Sequence, residues 1–177
     1  MSKRSNFKKI EKDAYQTIDG RSVTPLLPHI EGVRAYAEPC AADGFLIEHF
    51  EQQAPWMECT YSNDIDWFDG EDAIVGTQLE AARERYSHII TNPPWTRKVM
   101  HPMLWRFMSI APTWCLFDAD WAHTKQAREL IKHCVKIVSL GRLRWIPDTT
   151  MSGKDNCAFY LFDKDHDYGP RFYNGDY

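Results

Sequence analysis

At 177 residues the chain is long enough for one domain with a proper core and too short for two comfortable ones. Hydrophobic content of 44% and charged content of 26% fit a soluble globular protein, while aromatics at 14%, with 7 Trp, exceed what a core of this size needs and point to rings in a binding surface. The apolar runs fall short of a membrane span, the polar start MSKRSNFKKIEK has no apolar signal core, and the 5 cysteines lie far apart without a CxxC pair. A cytoplasmic protein is therefore expected, with reduced thiols and no membrane or zinc.

Net charge is −4, but it is segregated along the chain. From Glu38 to Asp72 there are acids and no Lys or Arg, whereas Asn92 to Arg144 is mostly basic. An acidic half beside a basic half is the pattern expected of separate cofactor and polyanion surfaces, although charge runs are often only solvated faces.

Residues 1–14 read as a polar, basic tail ahead of a single domain over 15–177. A short helical piece fits residues 23–30, with Pro25 tolerated in its first turn. Residues 32–37 form a first strand, followed by a turn through Gly44 and a helix over 45–53. A second strand covers 58–63, a short third 72–75, and a helix 77–86. Residues 88–91 give a fourth strand, 99–110 a helix, 113–117 a fifth strand and 123–132 a helix. Strands over 134–140 and 157–162 complete the series. Strand alternating with helix predicts an α/β fold with helices on both faces of a seven-stranded, mostly parallel sheet. No helix separates the last two strands, so they should form an antiparallel hairpin.

Ligands of open α/β sheets bind outside the carboxyl ends of the strands, where topology reverses. Three unusual segments fall at such ends. The turn Glu38-Pro39-Cys40-Ala41-Ala42-Asp43-Gly44 has one glycine, not the three of a dinucleotide fingerprint, and no basic residue, which argues against a pyrophosphate cradle. Glu38 and Asp43 instead suit an ammonium or sulfonium group. Asp64, after the second strand, stands where an acid commonly holds a ribose hydroxyl pair. A ligand with a ribose and positive charge but no phosphate is S-adenosylmethionine; taken singly, each acid also fits a helix cap or a solvated loop.

The third segment is Asn92-Pro93-Pro94-Trp95. Its prolines remove two N–H donors and hold the chain extended, leaving carbonyl oxygens beside an amide oxygen and a flat ring. That set suits a planar amino group, with its hydrogens on the acceptors and its aromatic face on the ring. A Pro-Pro turn with a buried Trp is the plainer alternative. Between the last two strands, Arg142, Arg144, Trp145 and Lys154 lie on a Gly/Pro-bounded loop that suits a phosphate clamp and stacking platform, or is simply a hairpin loop. Arg97 and Lys98 reach phosphate or are ordinary charges at a helix start. His101, His123 and His133 lack metal-ligand spacing.

Residues 36–44 resemble the cofactor motif of class I S-adenosylmethionine-dependent methyltransferases in its Glu-Pro-Cys-Ala-x-x-Gly form. Asn92–Trp95 is similar to the catalytic (Asp/Asn)-Pro-Pro-aromatic motif of the members that methylate adenine N6, and Tyr15-x-Thr17 with Val23, Leu26, Leu27, Pro28 and His29 resembles the segment preceding their first strand. The resemblance covers nearly the whole chain and implies a Rossmann-like methyltransferase fold with S-adenosylmethionine as cofactor, nearest in character to small phage and prophage enzymes. It places Glu38 and Gly44 near the methionine part, with Tyr15 and Thr17 closing over it and Pro39, Cys40 and Ala41 also binding the cofactor. It puts Asp64 on the ribose, Ile65 against the cofactor adenine and Asp72 near its amino group. Asn92 and the Pro93 carbonyl would accept from the target amine, with Pro94 and Trp95 completing the site and Trp95 stacking on the base.

The residues between Trp95 and Phe162 suffice only to complete the sheet, so sequence specificity should be low or supplied by a homodimer or partner subunit. DNA is the expected substrate; adenine in RNA and glutamine amides present the same planar NH2. A non-catalytic module on the same fold is a third reading, opposed by the intact Asn92–Trp95.

Overall fold

The computed structural model describes residues 15–67, 69–147, 149 and 152–175, so the expected basic tail over 1–14 lies outside the described residues. Its framework is a seven-stranded sheet of β1 (Ala35–Glu38), β2 (Glu58–Ser62), β3 (His88–Thr91), β4 (Thr113–Asp118), β5 (Cys134–Gly141), β6 (Cys157–Phe162) and β7 (Arg171–Tyr173), ordered β2-β1-β3-β4-β6-β5-β7. The pairs β1–β2, β1–β3, β3–β4 and β5–β7 are parallel, and β6 runs antiparallel to both β4 and β5. The expected mixed sheet and its antiparallel hairpin are present.

Strand pleat sends alternate side chains to opposite faces. On β4, Trp114 and Leu116 enter a core with Leu26, Ile30, Leu46 and Phe50, while Cys115 and Phe117 enter another with Met100, Leu104, Tyr160 and Phe162. Phe117 stacks on Tyr160 with centroids 4.2 Å apart, a cross-strand pair that holds β6 beside β4. Helix α1 (Phe45–Gln53) buries Leu46 and Phe50, one turn apart, in the first core. The short α2 (Gln78–Ala81) and the longer α3 (Arg97–Ile110) belong to the opposite face. Helix α3 does so through Met100, Met103, Leu104, Phe107 and Met108, a stripe at helical spacing. Its Pro102 falls on the exposed side, and the helix stops at Ala111, extended before Pro112.

Several expected elements differ. Residues 72–75 are not a strand: Asp72 Oδ1 accepts from the Ile74 N–H at 2.8 Å and the Asp72 carbonyl takes the N–H groups of Val75 and Gly76, closing a turn. The seventh strand is instead β7, three residues on the sheet edge with Phe172 exposed. The helix expected over 77–86 is one α turn followed by a 3-10 turn at Arg83–Arg85. That over 123–132 is replaced by 3-10 turns at Ala119–His123, Lys125–Ala127 and Leu130–His133, interrupted where the Thr124 hydroxyl donates to the Trp121 carbonyl. The piece expected over 23–30 is a 3-10 helix, Thr24–His29, with Pro28 inside it. Among the described residues no helix is long and apolar enough to cross a membrane.

The N-terminal segment is tied to the opposite end of the chain by Asp19. Its buried carboxylate pairs with Arg21 at 2.6 Å and accepts from the Arg144 backbone N–H at 3.0 Å. Burial alone would raise this carboxyl, but the hydrogen bonds from Arg21 and the Arg144 backbone outweigh it and hold the pKa at about 2. The resulting stability is present above the ordinary carboxylate range and is lost only as pH falls through about 2. Asp19→Ala, which leaves these donors without their acceptor, should lower unfolding free energy at pH 7 by about 1–3 kcal/mol in urea denaturation.

Candidate active site

β1 is followed by β2 on one side and β3 on the other, so chain direction across the sheet reverses there. The carboxyl ends of these three strands carry Glu38, Asp64 and Asn92 around a cavity of about 410 Å3, a size suited to a small molecule.

Glu38 ends β1 with its carboxyl buried. Oε1 accepts from the Thr91 hydroxyl and from the Cys40 N–H at 3.0 Å, while Oε2 is buried with no partner. Burial raises its pKa, the Thr91 and Cys40 hydrogen bonds oppose that, and the balance lies at about 8. Because Thr91 precedes Asn92, this bond joins the turn after β1 directly to the tetrapeptide after β3.

Asp64 holds the first turn from the other side. Its Oδ2 accepts from Ala42 N–H at 2.8 Å and Oδ1 from Asp66 N–H at 3.1 Å, leaving each oxygen a lone pair. Ala42 sits at φ 46°, left-handed backbone that costs a non-glycine residue on the order of 1 kcal/mol. The Asp64 bond and a 2.9 Å bond from Trp67 Nε1 to the Ala42 carbonyl hold it there. Gly44, at φ 86°, turns the chain into α1.

The Asn92 carboxamide is held on both sides. Nδ2 donates to the Thr17 hydroxyl at 3.0 Å and the Tyr15 carbonyl at 3.2 Å, and Oδ1 accepts from Trp95 Nε1 at 3.0 Å. Trp95 meets Trp145 edge to face, with centroids 5.4 Å apart, which brings the loop after β5 to the same site. A side chain at Gly153 would come within 2.9 Å of Trp145, so the loop closes over a glycine.

Tyr15, Thr17, Glu38, Pro39, Cys40, Ala41, Asp64, Ile65, Asp72, Asn92 and Pro94 all line the cavity. Ile65 is 63% exposed there, an apolar surface left open at the cavity. Gly44 shapes the turn and does not line the cavity, and Asp43 turns aside to accept from Gln16 Nε2 at 2.7 Å. Pro93 is buried, and Trp95 stands outside the cavity beside Trp145. Burial raises the Cys40 thiol well above its ordinary range, keeping it neutral and unreactive.

Arg97, Lys98, Arg142 and Lys154 are exposed, with Arg97 bonded to Gln126. Arg144 is partly committed, its guanidinium 3.7 Å from Asp19. Sequence reading missed Asp66 and Glu71 in the lining, and also Asn63, whose carboxamide exchanges two hydrogen bonds with the Glu71 backbone and fixes that wall. The unbroken acidic run was the available signal for Asp66 and Glu71. None was available for Asn63, an amide at a strand end. Among the described residues no cluster of His, Cys, Asp and Glu could hold a metal ion.

No family model and no curated protein matches the sequence. Solved structures do. A Listeria monocytogenes protein described as a class I S-adenosylmethionine-dependent methyltransferase aligns over 94% of this chain and 67% of its own, with TM-score 0.57 and 14% identity. The chain has the class I methyltransferase fold. The same fold aligns with the type IIG restriction endonuclease BpuSI over 90% of this chain and 26% of that one, with TM-score 0.52 and 10% identity.

A carboxyl with a raised pKa stabilises the folded chain fully below the ordinary value of 4.5 and loses that contribution as pH rises through about 8. Thermal or urea stability of the unliganded wild type should therefore fall relative to Glu38→Gln between those pH values. The difference should approach about 1.4 kcal/mol per pH unit, the slope for one proton. A constant difference across this range would show that Glu38 is ionised throughout.

Proposed function

We propose that the chain transfers a methyl group from S-adenosylmethionine to the exocyclic N6 amine of adenine in DNA. The observation carrying this reading is a cavity lined by Glu38, Asp64, Asp66, Glu71 and Asp72, without Lys or Arg, that meets Asn92 and Pro94. A pyrophosphate would find acids and no cation there, whereas a sulfonium or ammonium group finds complementary charge.

The donor set fits the cofactor. Glu38 Oε2 is buried with no partner, a position suited to an ammonium or its water; Asp64 keeps lone pairs for two ribose hydroxyls; Ile65 offers an apolar face to a purine. Asp72 keeps carboxylate acceptors for the purine amino group, and the Tyr15–Thr17 segment forms the wall above. When bound, S-adenosylmethionine supplies an electrophilic methyl on a sulfonium centre.

The residues after β3 prepare the nucleophile. An adenine amine is weak because its lone pair is delocalised into the ring. Acceptance of its hydrogens by Asn92 Oδ1 and the Pro93 carbonyl draws the nitrogen toward tetrahedral geometry and localises that pair. With that pair localised, the amine would be placed to attack the methyl that the cofactor would supply as its C–S bond broke, and would then release its proton to water. Attack precedes proton loss, so a neutral amide suffices where a base might be expected. Holding the two reactants in line is worth up to roughly 7–11 kcal/mol in ideal cases. A base leaving a duplex costs a few kcal/mol, offset in part by stacking on Trp95.

Arg142, Lys154, Arg97 and Lys98 provide exposed positive charge for a phosphate backbone, and Trp145 a second ring beside Trp95. The residues between Asn92 and Phe162 are occupied by α3, β4, β5, β6 and their connections. We therefore assign target recognition to surfaces outside this segment, a second copy or another subunit among them.

Incubation with methyl-labelled S-adenosylmethionine and DNA, RNA or a glutamine-bearing protein, followed by digestion, tests the proposal. The expected product is N6-methyladenine in DNA, with Asn92→Ala reducing its rate at least 100-fold while the fold persists. Label in RNA adenine or a glutamine amide would replace the substrate, and no label in any acceptor would overturn the enzymatic reading.

A further inference from the structure

The orientation of the Asn92 carboxamide is determined by its partners' chemistry. The Tyr15 carbonyl can only accept, so Nδ2 faces it at 3.2 Å; the Trp95 indole N–H can only donate, so Oδ1 faces it at 3.0 Å. The Thr17 hydroxyl accepts a second bond from Nδ2 at 3.0 Å. Thr17 is itself buried, and its carbonyl accepts from His49 Nε2 on α1 at 2.9 Å. The amide is therefore clamped by groups far apart in the chain.

We infer that Thr17 and the Trp95 indole N–H are positioning groups for methyl transfer, holding the Asn92 carboxamide with Oδ1 toward the target amine and Nδ2 away from it. The inference rests on the proposed methyltransferase reading. An amide flipped about its last bond would present its own N–H groups to the amine, donor against donor, and no lone pair would be drawn out. In the held orientation Oδ1 gives one lone pair to Trp95 and keeps one for the target. Thr17 and Tyr15 also line the cofactor cavity, so the segment that covers the cofactor is the segment that orients the acceptor. Trp95 thereby acquires a role that phenylalanine, equally able to stack, cannot fill.

Two kinds of readout separate this from a general structural role. In steady-state kinetics, Thr17→Val, which keeps shape but loses the acceptor, should lower kcat about 10–100-fold. The acceptor KM and the calorimetric Kd for S-adenosylhomocysteine should change less than about threefold. Thr17→Ser should recover most of the lost rate. Trp95→Phe should lower kcat similarly, and the Thr17→Val/Trp95→Phe pair should be less than additive because both act on one amide. A wild-type kcat in either single variant, or a loss in Thr17→Val confined to cofactor affinity, would overturn the inference. The second readout needs no turnover. The Asn92 side-chain NH2 signals in 15N-labelled protein, assigned by their loss in Asn92→Asp, should exchange slowly with water in the wild type. They should exchange at least about tenfold faster in Thr17→Val, or in Thr17→Ala should the valine variant fail to fold, because the Tyr15 carbonyl alone then accepts from Nδ2. Solvent-rate exchange in the wild type, or unchanged protection in the variant, would overturn it. A wild type that transfers no methyl defeats the functional proposal alone, because the exchange experiment still decides whether the amide is held.

Discussion

The Glu38 carboxyl lies where three strands end, and its two oxygens have opposite circumstances. One is saturated by the Thr91 hydroxyl and the Cys40 N–H; the other is buried with nothing to bond. The saturated oxygen joins β1 to β3, fixing the turn after one strand relative to the tetrapeptide after the other. The bare oxygen is a local cost, since a buried polar atom without a partner is destabilising by about 1–3 kcal/mol. Protonation relieves part of it, which is why the group holds its proton to about pH 8. A cationic ligand relieves it differently, by making the ionised form favourable. Under the proposed function, the same atom thus weakens the unliganded fold and favours the cationic end of the cofactor.

The remaining walls extend that logic. Asp64 holds Ala42 in left-handed backbone while keeping lone pairs free, and the neutral Asn63 carboxamide pins the Glu71 backbone by two hydrogen bonds. On the far side the N-terminal segment crosses from His49 to Asn92 and on, through Asp19, to the Arg144 loop. The acid-lined cavity, the Asn92–Trp95 tetrapeptide and the aromatic loop are therefore parts of one hydrogen-bonded arrangement. Under the proposed function, this geometry lets a neutral amide orient a nucleophile without an added base.

Local chemistry that was unusual was legible in the sequence. An acid-bearing, single-glycine turn, an acid after the next strand and a Pro-Pro-aromatic tetrapeptide each stood out, and the fold brings Glu38, Asp64 and Asn92 to one cavity. The alternation of strand and helix likewise anticipated the sheet and its antiparallel hairpin. Local reading failed where a side chain captured backbone donors: residues 72–75 look β-branched and apolar, yet Asp72 turns them. It failed again at Arg171–Tyr173, a strand too short and exposed to carry a periodic signal. Long-range bonds were illegible in principle. Nothing around Thr17 announces Asn92, 75 residues away, or around Asp19 announces Arg144, 125 away.

Under the proposed function, the acid-lined cavity takes S-adenosylmethionine and refuses a pyrophosphate dinucleotide. Isothermal calorimetry of the folded chain against S-adenosylmethionine and, separately, NAD measures it directly. S-adenosylmethionine should bind at one site, weakened at least tenfold by Asp64→Asn, and NAD should give no heat of binding. Absence of S-adenosylmethionine binding to the folded wild type, or comparable affinity for NAD, would contradict it.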